Sequence, residues 1–280
     1  KRANSTMKPV IIFLTLFAFI RQGRPSSEAG SPKHFVLVHG AGHGAWCWYK
    51  LAPLLRNSGH NVTAIDLAAS GIDPRQPIDL RTFSDYTKPL TDFIASKGSQ
   101  EKLTLVGHSL GGLAISQAIE TFPASISSAV FVSALMPGPK NNISTLMNRY
   151  FEQRPALLDT KVVYNATIGR NENFLGPDYL RKNLYQLTPV EDWSLATTLV
   201  REVTVFNGED ISSEVKCSER NYGSVRRVYV RAGKDRAIGP KMQKWMIQES
   251  PPHKVEVIQN SDHMVMMSAT PQLFKVLVDL

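Results

Sequence analysis

From residue 34 onward, short runs of apolar and β-branched residues alternate with longer stretches whose apolar positions recur at helical spacing. The short runs predict strands, and the longer stretches between them predict helices. This alternation is typical of a mostly parallel sheet flanked by helices, so the predicted fold class is α/β. The predicted strands lie at residues 34–38, 61–65, 103–106, 126–132, 225–231 and 254–258, and a closing helix lies at 271–280.

The alternation breaks between Pro137 and Gly223, where Pro and Asn are scattered through short helix-like pieces. We therefore predict a single domain over residues 31–280 with a helical cap insertion at about residues 137–223. Open α/β folds of about 250 residues often form one domain. The composition, 42% hydrophobic and 20% charged residues, is that of a globular domain and excludes disordered, collagen-like and disulfide-scaffold classes.

The formal net charge of +8 overstates how basic the domain is. Half of it belongs to residues 1–30, and the remainder of the chain has no run of Lys and Arg interleaved with aromatic residues. A nucleic-acid partner is therefore not predicted. The histidines are dispersed and the two cysteines are far apart in the sequence, so no metal and no cofactor is predicted.

Residues 1–30 have the pattern of a secretory signal peptide. Lys8 precedes an apolar run at residues 10–20, which is shorter than the roughly 20 residues of a membrane-spanning helix. Small residues at Ser27 and Ala29 predict cleavage after Ala29. The mature chain would then have no membrane-spanning segment and would enter the secretory pathway or leave the cell. The alternative is a cytoplasmic enzyme with a short tail anchor or an extraneous leader.

Two other features bear weakly on the compartment. Glycosylation triplets begin at Asn61, Asn142 and Asn165. Cys47 and Cys217 could pair under oxidising conditions, but two cysteines are also common in reduced proteins. Neither feature decides between secretion and the cytoplasm.

Residues 103–112, LTLVGHSLGG, contain the chain's principal chemical motif. A buried strand runs into G-x-S-x-G and then into a helical pattern, which is the context of a nucleophile elbow. Gly107 and Gly111 leave room for the sharp turn, and Ser109 would stand above the sheet at the N-terminus of a helix. We therefore predict Ser109 as a nucleophile.

A serine nucleophile needs a base and an acid that orients the base. In folds with this elbow the partners follow in the order Ser, acid, His, each just after a later strand. Asp235 follows the strand at 225–231 and His263 follows the strand at 254–258, so we predict Asp235 and His263. Asp210 is the reserve acid, and Asp262 is excluded because it adjoins His263.

Four other histidines are excluded as the base because of their places in the chain. His34, His60 and His253 lie at the entrances of strands. His108 is expected to point away from Ser109 across the elbow.

Acyl transfer also needs backbone N–H groups that stabilise an oxyanion. One donor is expected at Leu110, directly after the nucleophile, and a second in the loop at residues 39–44, HGAGHG, with Ala41 as the predicted donor. The same loop could be a phosphate-binding loop, but it has neither G-x-G-x-x-G spacing nor a Walker lysine.

Five separated motifs resemble those of plant methylesterases of the α/β-hydrolase fold, which are related to polyneuridine aldehyde esterase and to hydroxynitrile lyases. The motifs lie at residues 36–50, 66–71, 106–112, 222–225 and 262–266. The resemblance covers about residues 33–280 and implies hydrolysis of small methyl esters such as methyl salicylate, methyl jasmonate and methyl indole-3-acetate. The family's triad falls on Ser109, Asp235 and His263, and its oxyanion donors fall on Ala41 and Leu110. Many members are cytosolic, which favours the cytoplasmic alternative.

Two other functions are alternatives to ester hydrolysis. Lyases of this family carry either a lysine directly after the catalytic histidine or an asparagine after the histidine that ends the first strand, whereas this chain has Met264 and Gly40. A hormone-binding protein with weak hydrolase activity is the other alternative, because α/β-hydrolase folds also serve as receptors. The expected partner is a small ester, and the sequence does not distinguish a monomer from a homodimer.

Overall fold

The structure is a computed structural model that describes residues 31–98 and 100–280. The predicted signal peptide lies outside the described residues. In chain order the strands are β1 (His34–Val38), β2 (Asn61–Ile65), β3 (Leu103–His108), β4 (Ile126–Val132), β5 (Lys161–Asn165), β6 (Arg170–Phe174), β7 (Val203–Thr204), β8 (Arg226–Ala232) and β9 (Lys254–Ile258). The α-helices are α1 (Leu51–Asn57), α2 (Phe83–Lys97), α3 (Gly111–Thr121), α4 (Ile143–Gln153), α5 (Pro177–Tyr179), α6 (Val190–Leu199), α7 (Gly208–Glu214), α8 (Pro240–Glu249), α9 (Val265–Ser268) and α10 (Thr270–Val278).

Six strands form the main sheet in the order β2-β1-β3-β4-β8-β9, and each neighbouring pair is parallel. The predicted α/β class with a mostly parallel sheet is confirmed. Every residue of β1 and β3 is buried, because central parallel strands are covered on both faces. At the edge strand β9, by contrast, Val255 and Val257 are partly exposed.

Two apolar clusters cover the two faces of the sheet. Alternate residues of β1 point into different clusters, Val36 into one and Phe35 into the other, as the two-residue period of a strand requires. Residues of α2, α3 and α8 belong to the first cluster, and residues of α1 and α10 belong to the second. The first core strand is therefore held between helices on both sides.

The predicted helical insertion is wrong in one respect, because it also contains strands. β5, β6 and β7 form a separate antiparallel sheet between α4 and α7. The sequence of β6, RNENF, has no apolar alternation, so its extended conformation comes from pairing with β5 and β7. Pairing in the folded chain overrides local propensity here. A π-helix at Leu180–Leu184 follows α5.

The described part of the chain contains no helix with the length and apolar character needed to cross a membrane.

The start of α3 packs closely against the turn after β4. A Cβ atom on Gly112 would lie 2.2 Å from the carbonyl oxygen of Leu135 and 2.9 Å from Cβ of Ala134. The backbone around Leu135 is buried and cannot move away without displacing the end of the sheet. Gly112 is therefore required by close packing.

We expect the substitution Gly112→Ala to lower the free energy of unfolding by about 1–3 kcal/mol, the usual cost of overpacking a core. Urea denaturation monitored by circular dichroism would measure it. Gly239→Ala is the matched control, because nothing lies within 4 Å of a Cβ atom at that position. Its cost should stay at or below about 1 kcal/mol, the price of replacing an N-terminal capping glycine. Equal losses in the two variants would contradict this account.

Candidate active site

Ser109 lies in the turn between β3 and α3, with its backbone in the left-handed region at φ +53°. A non-glycine residue in this region costs on the order of 1–3 kcal/mol and is held only by surrounding structure. A Cβ atom on Gly107 would lie 2.8 Å from the carbonyl oxygen of Gly111. One on Gly111 would lie 2.5 Å from the carbonyl oxygen of His39. The sharp turn therefore has no room for a side chain at Gly107 or Gly111, as the G-x-S-x-G motif predicts.

The loop after β1 packs directly against this turn. A Cβ atom on Gly40 would lie 2.7 Å from Cβ of Ser109. Ala41 and Leu110 line the same cavity as Ser109. Among the described residues, no acceptor is found for the N–H of Ala41 or for that of Leu110. Both N–H groups can therefore donate to an oxygen atom in the cavity, and their role as oxyanion donors stays a prediction.

Asp235 and His263 come together at the ends of β8 and β9. His263 Nδ1 donates to Asp235 Oδ2 over 2.9 Å, and both side chains are buried. Asp235 Oδ1 accepts hydrogen bonds from the N–H groups of Ala237 at 2.8 Å and Ile238 at 2.9 Å. With its proton on Nδ1, the ring keeps a lone pair on Nε2, as a general base requires.

Ser109 and His263 face one cavity. In the described part of the chain they do not form a hydrogen bond with each other. Bonds of this type often tighten only when the substrate is in place. The structure thus brings the predicted acid and the predicted base together and places the predicted nucleophile in the same cavity as that base.

The other carboxylates have different partners. Asp210, the reserve acid, lies in α7 and pairs with Arg170 at 3.2 Å. Asp262 accepts hydrogen bonds from the N–H groups of Leu187 and Thr188, each at 2.8 Å. Within the residues that the structure describes, neither carboxylate bonds to the imidazole of His263.

His108 differs from the expectation that it points away from Ser109. Its ring lines the cavity beside Ser109 and lies with its centre 4.6 Å from that of His263. His108 Nε2 donates to the carbonyl oxygen of His263 over 3.0 Å. Burial lowers the pKa of His108 well below its usual value, so the ring is neutral and supports the loop that carries His263.

Sequence reasoning did not assign a role to His43, which is buried beside the cavity. His43 Nδ1 donates to the carbonyl oxygen of Ala41 over 2.8 Å, and Nε2 accepts from the hydroxyl of Tyr185 over 2.6 Å. Burial lowers the pKa of His43 to about 4, so the neutral ring persists at physiological pH. The position of His43 in the loop HGAGHG was visible in the sequence, but its partner lies in the insertion, far along the chain.

The insertion supplies most of the cavity's walls, and these walls are largely apolar. The side chains from the insertion include Met147, Tyr150, Phe151, Leu175, Tyr179, Leu184, Val203 and Phe206. Among the cavity's described lining residues, Arg154 has the only Lys, Arg, Asp or Glu side chain, and its guanidinium lies over the ring of Phe151 at 5.4 Å. Such walls suit a neutral acyl group with a large hydrocarbon part.

The two cysteines, whose pairing the sequence left open, form no disulfide in the part of the chain that the structure describes. Cys47 and Cys217 are both free thiols and belong to different apolar clusters. Within residues 31–98 and 100–280, no group of three or more His, Cys, Asp and Glu side chains could hold a metal ion.

Residues 35–275 match the family described as "Alpha/beta hydrolase family". The chain is 47% identical over 241 residues to methyl jasmonate esterase 1 of Vitis vinifera, covering 84% of this chain and 92% of that protein. It is 44% identical to alpha-hydroxynitrile lyase of Arabidopsis thaliana, covering 86% and 94%. The crystal structure of tomato methylketone synthase I with 2-tridecanone has a TM-score of 0.84 and 50% identity, covering 89% and 97%. The predicted resemblance to plant methylesterases is confirmed.

The lowered pKa of His43 predicts a loss of stability in mild acid. The pKa of His43 is about 4 in the folded chain, against an ordinary value of 6.5, so the unfolded chain binds the proton first. The part of the unfolding free energy that depends on the neutral His43 ring should be fully present above pH 6.5. It should fall by about 1.4 kcal/mol per pH unit as the pH drops towards 4.

We expect the wild-type unfolding free energy to decrease more steeply than that of His43→Gln between pH 6.5 and 4, with a difference approaching about 3 kcal/mol. Urea titrations at a series of pH values would measure both curves. Parallel curves would show that His43 does not contribute to the acid sensitivity.

Proposed function

Because this chain belongs to the alpha/beta hydrolase family, we propose that it is a carboxylic ester hydrolase that cleaves methyl esters of small acids through an acyl-enzyme. The observation that carries the proposal is the buried Asp235–His263 pair at 2.9 Å, in the wall of the cavity that Ser109 faces. A strained serine, an oriented imidazole and two N–H donors around one cavity are the components of acyl transfer.

In the proposed first half-reaction, Ser109 Oγ attacks the ester carbonyl carbon while His263 Nε2 takes the hydroxyl proton. The carbonyl oxygen becomes an oxyanion that accepts hydrogen bonds from the N–H groups of Ala41 and Leu110. The bond to the methoxy oxygen then breaks, and His263 returns the proton so that methanol leaves. Asp235 stabilises the imidazolium that exists between these proton transfers.

In the second half-reaction, water replaces methanol. His263 takes a proton from the water as its oxygen attacks the acyl carbon, and the same two N–H groups stabilise the second oxyanion. The bond to Ser109 Oγ breaks, and the proton returns from His263 to that oxygen. The free acid leaves and the starting protonation state is restored.

We propose an aromatic or cyclopentanone acid as the acyl part, with methyl jasmonate, methyl salicylate and methyl indole-3-acetate as candidates. The apolar walls from the insertion support this class, because they offer contact area and few polar partners. The similarity to a protein named methyl jasmonate esterase 1 supports methyl jasmonate in particular.

Cyanohydrin cleavage is the second candidate, because one relative at 44% identity is named a lyase. Two positions argue against it. Met264 is fully buried in an apolar cluster and does not line the cavity, so it offers no cation to departing cyanide. A side chain on Gly40 would lie against Ser109, with its Cβ 2.7 Å from that of the serine. Esterase chemistry needs neither of the groups that the lyases add.

The test is hydrolysis of the three methyl esters by the full chain and by Ser109→Ala. We expect the variant to lose at least about a thousandfold in kcat/KM, because triad members act as a unit. Ser133→Ala is the matched control: Ser133 is also buried with a positive φ, +43°, and its hydroxyl has no partner among the described residues. The control should keep the wild-type rate.

Three results would overturn the proposal. Equal activity in Ser109→Ala would remove Ser109 as the nucleophile. Cleavage of a cyanohydrin without hydrolysis of any ester would favour the lyase, and tight binding of a hormone acid without turnover would favour the binding role.

We also propose that the chain enters the secretory pathway, on the strength of the apolar run at residues 10–20 and the small residues before Gly30. N-terminal sequencing of the protein purified from plant cells is expected to begin at Gly30. A mature protein that keeps residues 10–20 and is recovered from the cytosol would favour the cytoplasmic alternative.

A further inference from the structure

A short part of the insertion, residues 181–188, contacts three of the four segments that carry the predicted catalytic groups, namely those after β1, β8 and β9. We call this segment the strap. It begins inside the π-helix Leu180–Leu184 and ends just before α6. Turns of the π type are rare and often occur at functional sites. Hydrogen bonds within the strap stabilise it: Arg181 Nη1 donates to the carbonyl oxygens of Tyr185 at 2.7 Å and Thr188 at 2.9 Å.

The strongest contact joins the strap to the loop of the base. Asp262 is fully buried, and its Oδ2 accepts three hydrogen bonds at 2.8 Å, from the N–H of Leu187 and from the N–H and hydroxyl of Thr188. Its Oδ1 accepts the N–H of Met264 at 3.0 Å. Four donors compensate the burial of this carboxylate. Asp262 is thus tied directly to the strap, and Met264, on the other side of His263, is tied to Asp262.

The strap also contacts the loop of the acid. Gln186 Nε2 donates to the carbonyl oxygen of Lys234 over 2.6 Å. In the opposite direction, Arg236 Nη1 donates to the carbonyl oxygen of Lys182 over 2.9 Å. These two bonds bracket Asp235 on both sides along the chain.

The third contact reaches the loop that carries the predicted oxyanion donor. The hydroxyl of Tyr185 donates to His43 Nε2 over 2.6 Å, and His43 Nδ1 donates to the carbonyl oxygen of Ala41 over 2.8 Å. A side chain of the strap thus holds the peptide next to the N–H that would stabilise the oxyanion.

We infer that the strap is a positioning element for catalysis: it sets the acid, the base and an oxyanion donor relative to one another, with Asp262 as its principal attachment. The inference rests on the proposed esterase function. Geometry of this kind matters because a displacement of about 1 Å in a catalytic group can cost 100-fold in rate. Leu184, in the same segment, lines the cavity, so the wall that meets the acyl group and the support of the catalytic loops are one piece of chain.

Asp262→Asn and Thr188→Val test the inference. Asp262→Asn removes the charge, and Thr188→Val removes one hydroxyl donor at nearly constant shape. Neither residue lines the cavity, so we expect kcat to fall about 10- to 100-fold while KM changes less than about threefold. Thr188→Ser keeps the hydroxyl and should recover the wild-type kcat.

Glu120→Gln is the matched control for simple loss of stability. The Glu120 carboxylate likewise accepts backbone N–H groups, from Ser218 at 2.9 Å and Tyr222 at 3.1 Å, and it lies near the C-terminal end of α3. This variant should lose thermal stability comparable with that of Thr188→Val and keep the wild-type kcat. A fall in kcat in Glu120→Gln equal to that in Thr188→Val would overturn the inference.

The rate at which a fluorophosphonate labels Ser109 provides a readout that does not depend on the ester substrate. We expect Asp262→Asn and Thr188→Val to label at least tenfold more slowly than the wild type, with recovery in Thr188→Ser. Rapid labelling of a wild type that hydrolyses none of the methyl esters would refute the proposed function and leave this test intact. Wild-type labelling rates in folded Thr188→Val and Asp262→Asn would refute the positioning role alone.

Discussion

The left-handed backbone of Ser109 is the constraint on which the rest of the site depends. This conformation is unfavourable for a residue with a side chain, so it persists only because contacts with neighbouring segments stabilise it. The end of β4 and the loop after β1 supply those contacts, as do hydrogen bonds from Leu135 N to the Ser109 carbonyl at 3.0 Å and from Ser109 N to Val132 O at 3.4 Å. The sheet therefore stabilises a turn that would not persist in an isolated strand and helix.

Parallel strands explain why the remaining groups meet at this turn. All strands of the main sheet run in one direction, so the segments that follow β1, β3, β8 and β9 emerge at the same edge. The sheet brings these loops together, but loops are less rigid than the elements they connect. The strap joins three of them by hydrogen bonds, one set of which ends on a fully buried carboxylate. In this protein the insertion thus contributes to rigidity as well as to the walls of the cavity.

Much of the fold and the core of the candidate site could be predicted from the sequence, because they depend on local signals. Apolar runs mark the strands, the G-x-S-x-G motif marks the turn, and chain order selects Asp235 and His263, which the structure places 2.9 Å apart. The antiparallel sheet of the insertion could not be predicted, since β6 has no strand pattern of its own. The roles of Asp262 and His43 were also missed, because their partners lie 74 and 142 residues away and hydrogen bonds at such separations leave no local pattern.

The relatives show how little of the sequence decides the reaction. Proteins named as an esterase, a lyase and a methylketone synthase share 44–50% identity with this chain, so this level of shared sequence supports one fold without selecting a reaction. The selection must then lie in the few side chains that meet the substrate or the developing charge. At the two positions where the lyases carry an asparagine or a lysine, this chain has the small Gly40 and the apolar Met264, which is buried outside the cavity. The predicted oxyanion donors at this elbow are backbone N–H groups. Backbone donors of this kind stabilise an oxyanion on a carbonyl substrate, and this chain has neither of the groups that the lyases add for departing cyanide, so the site favours ester hydrolysis.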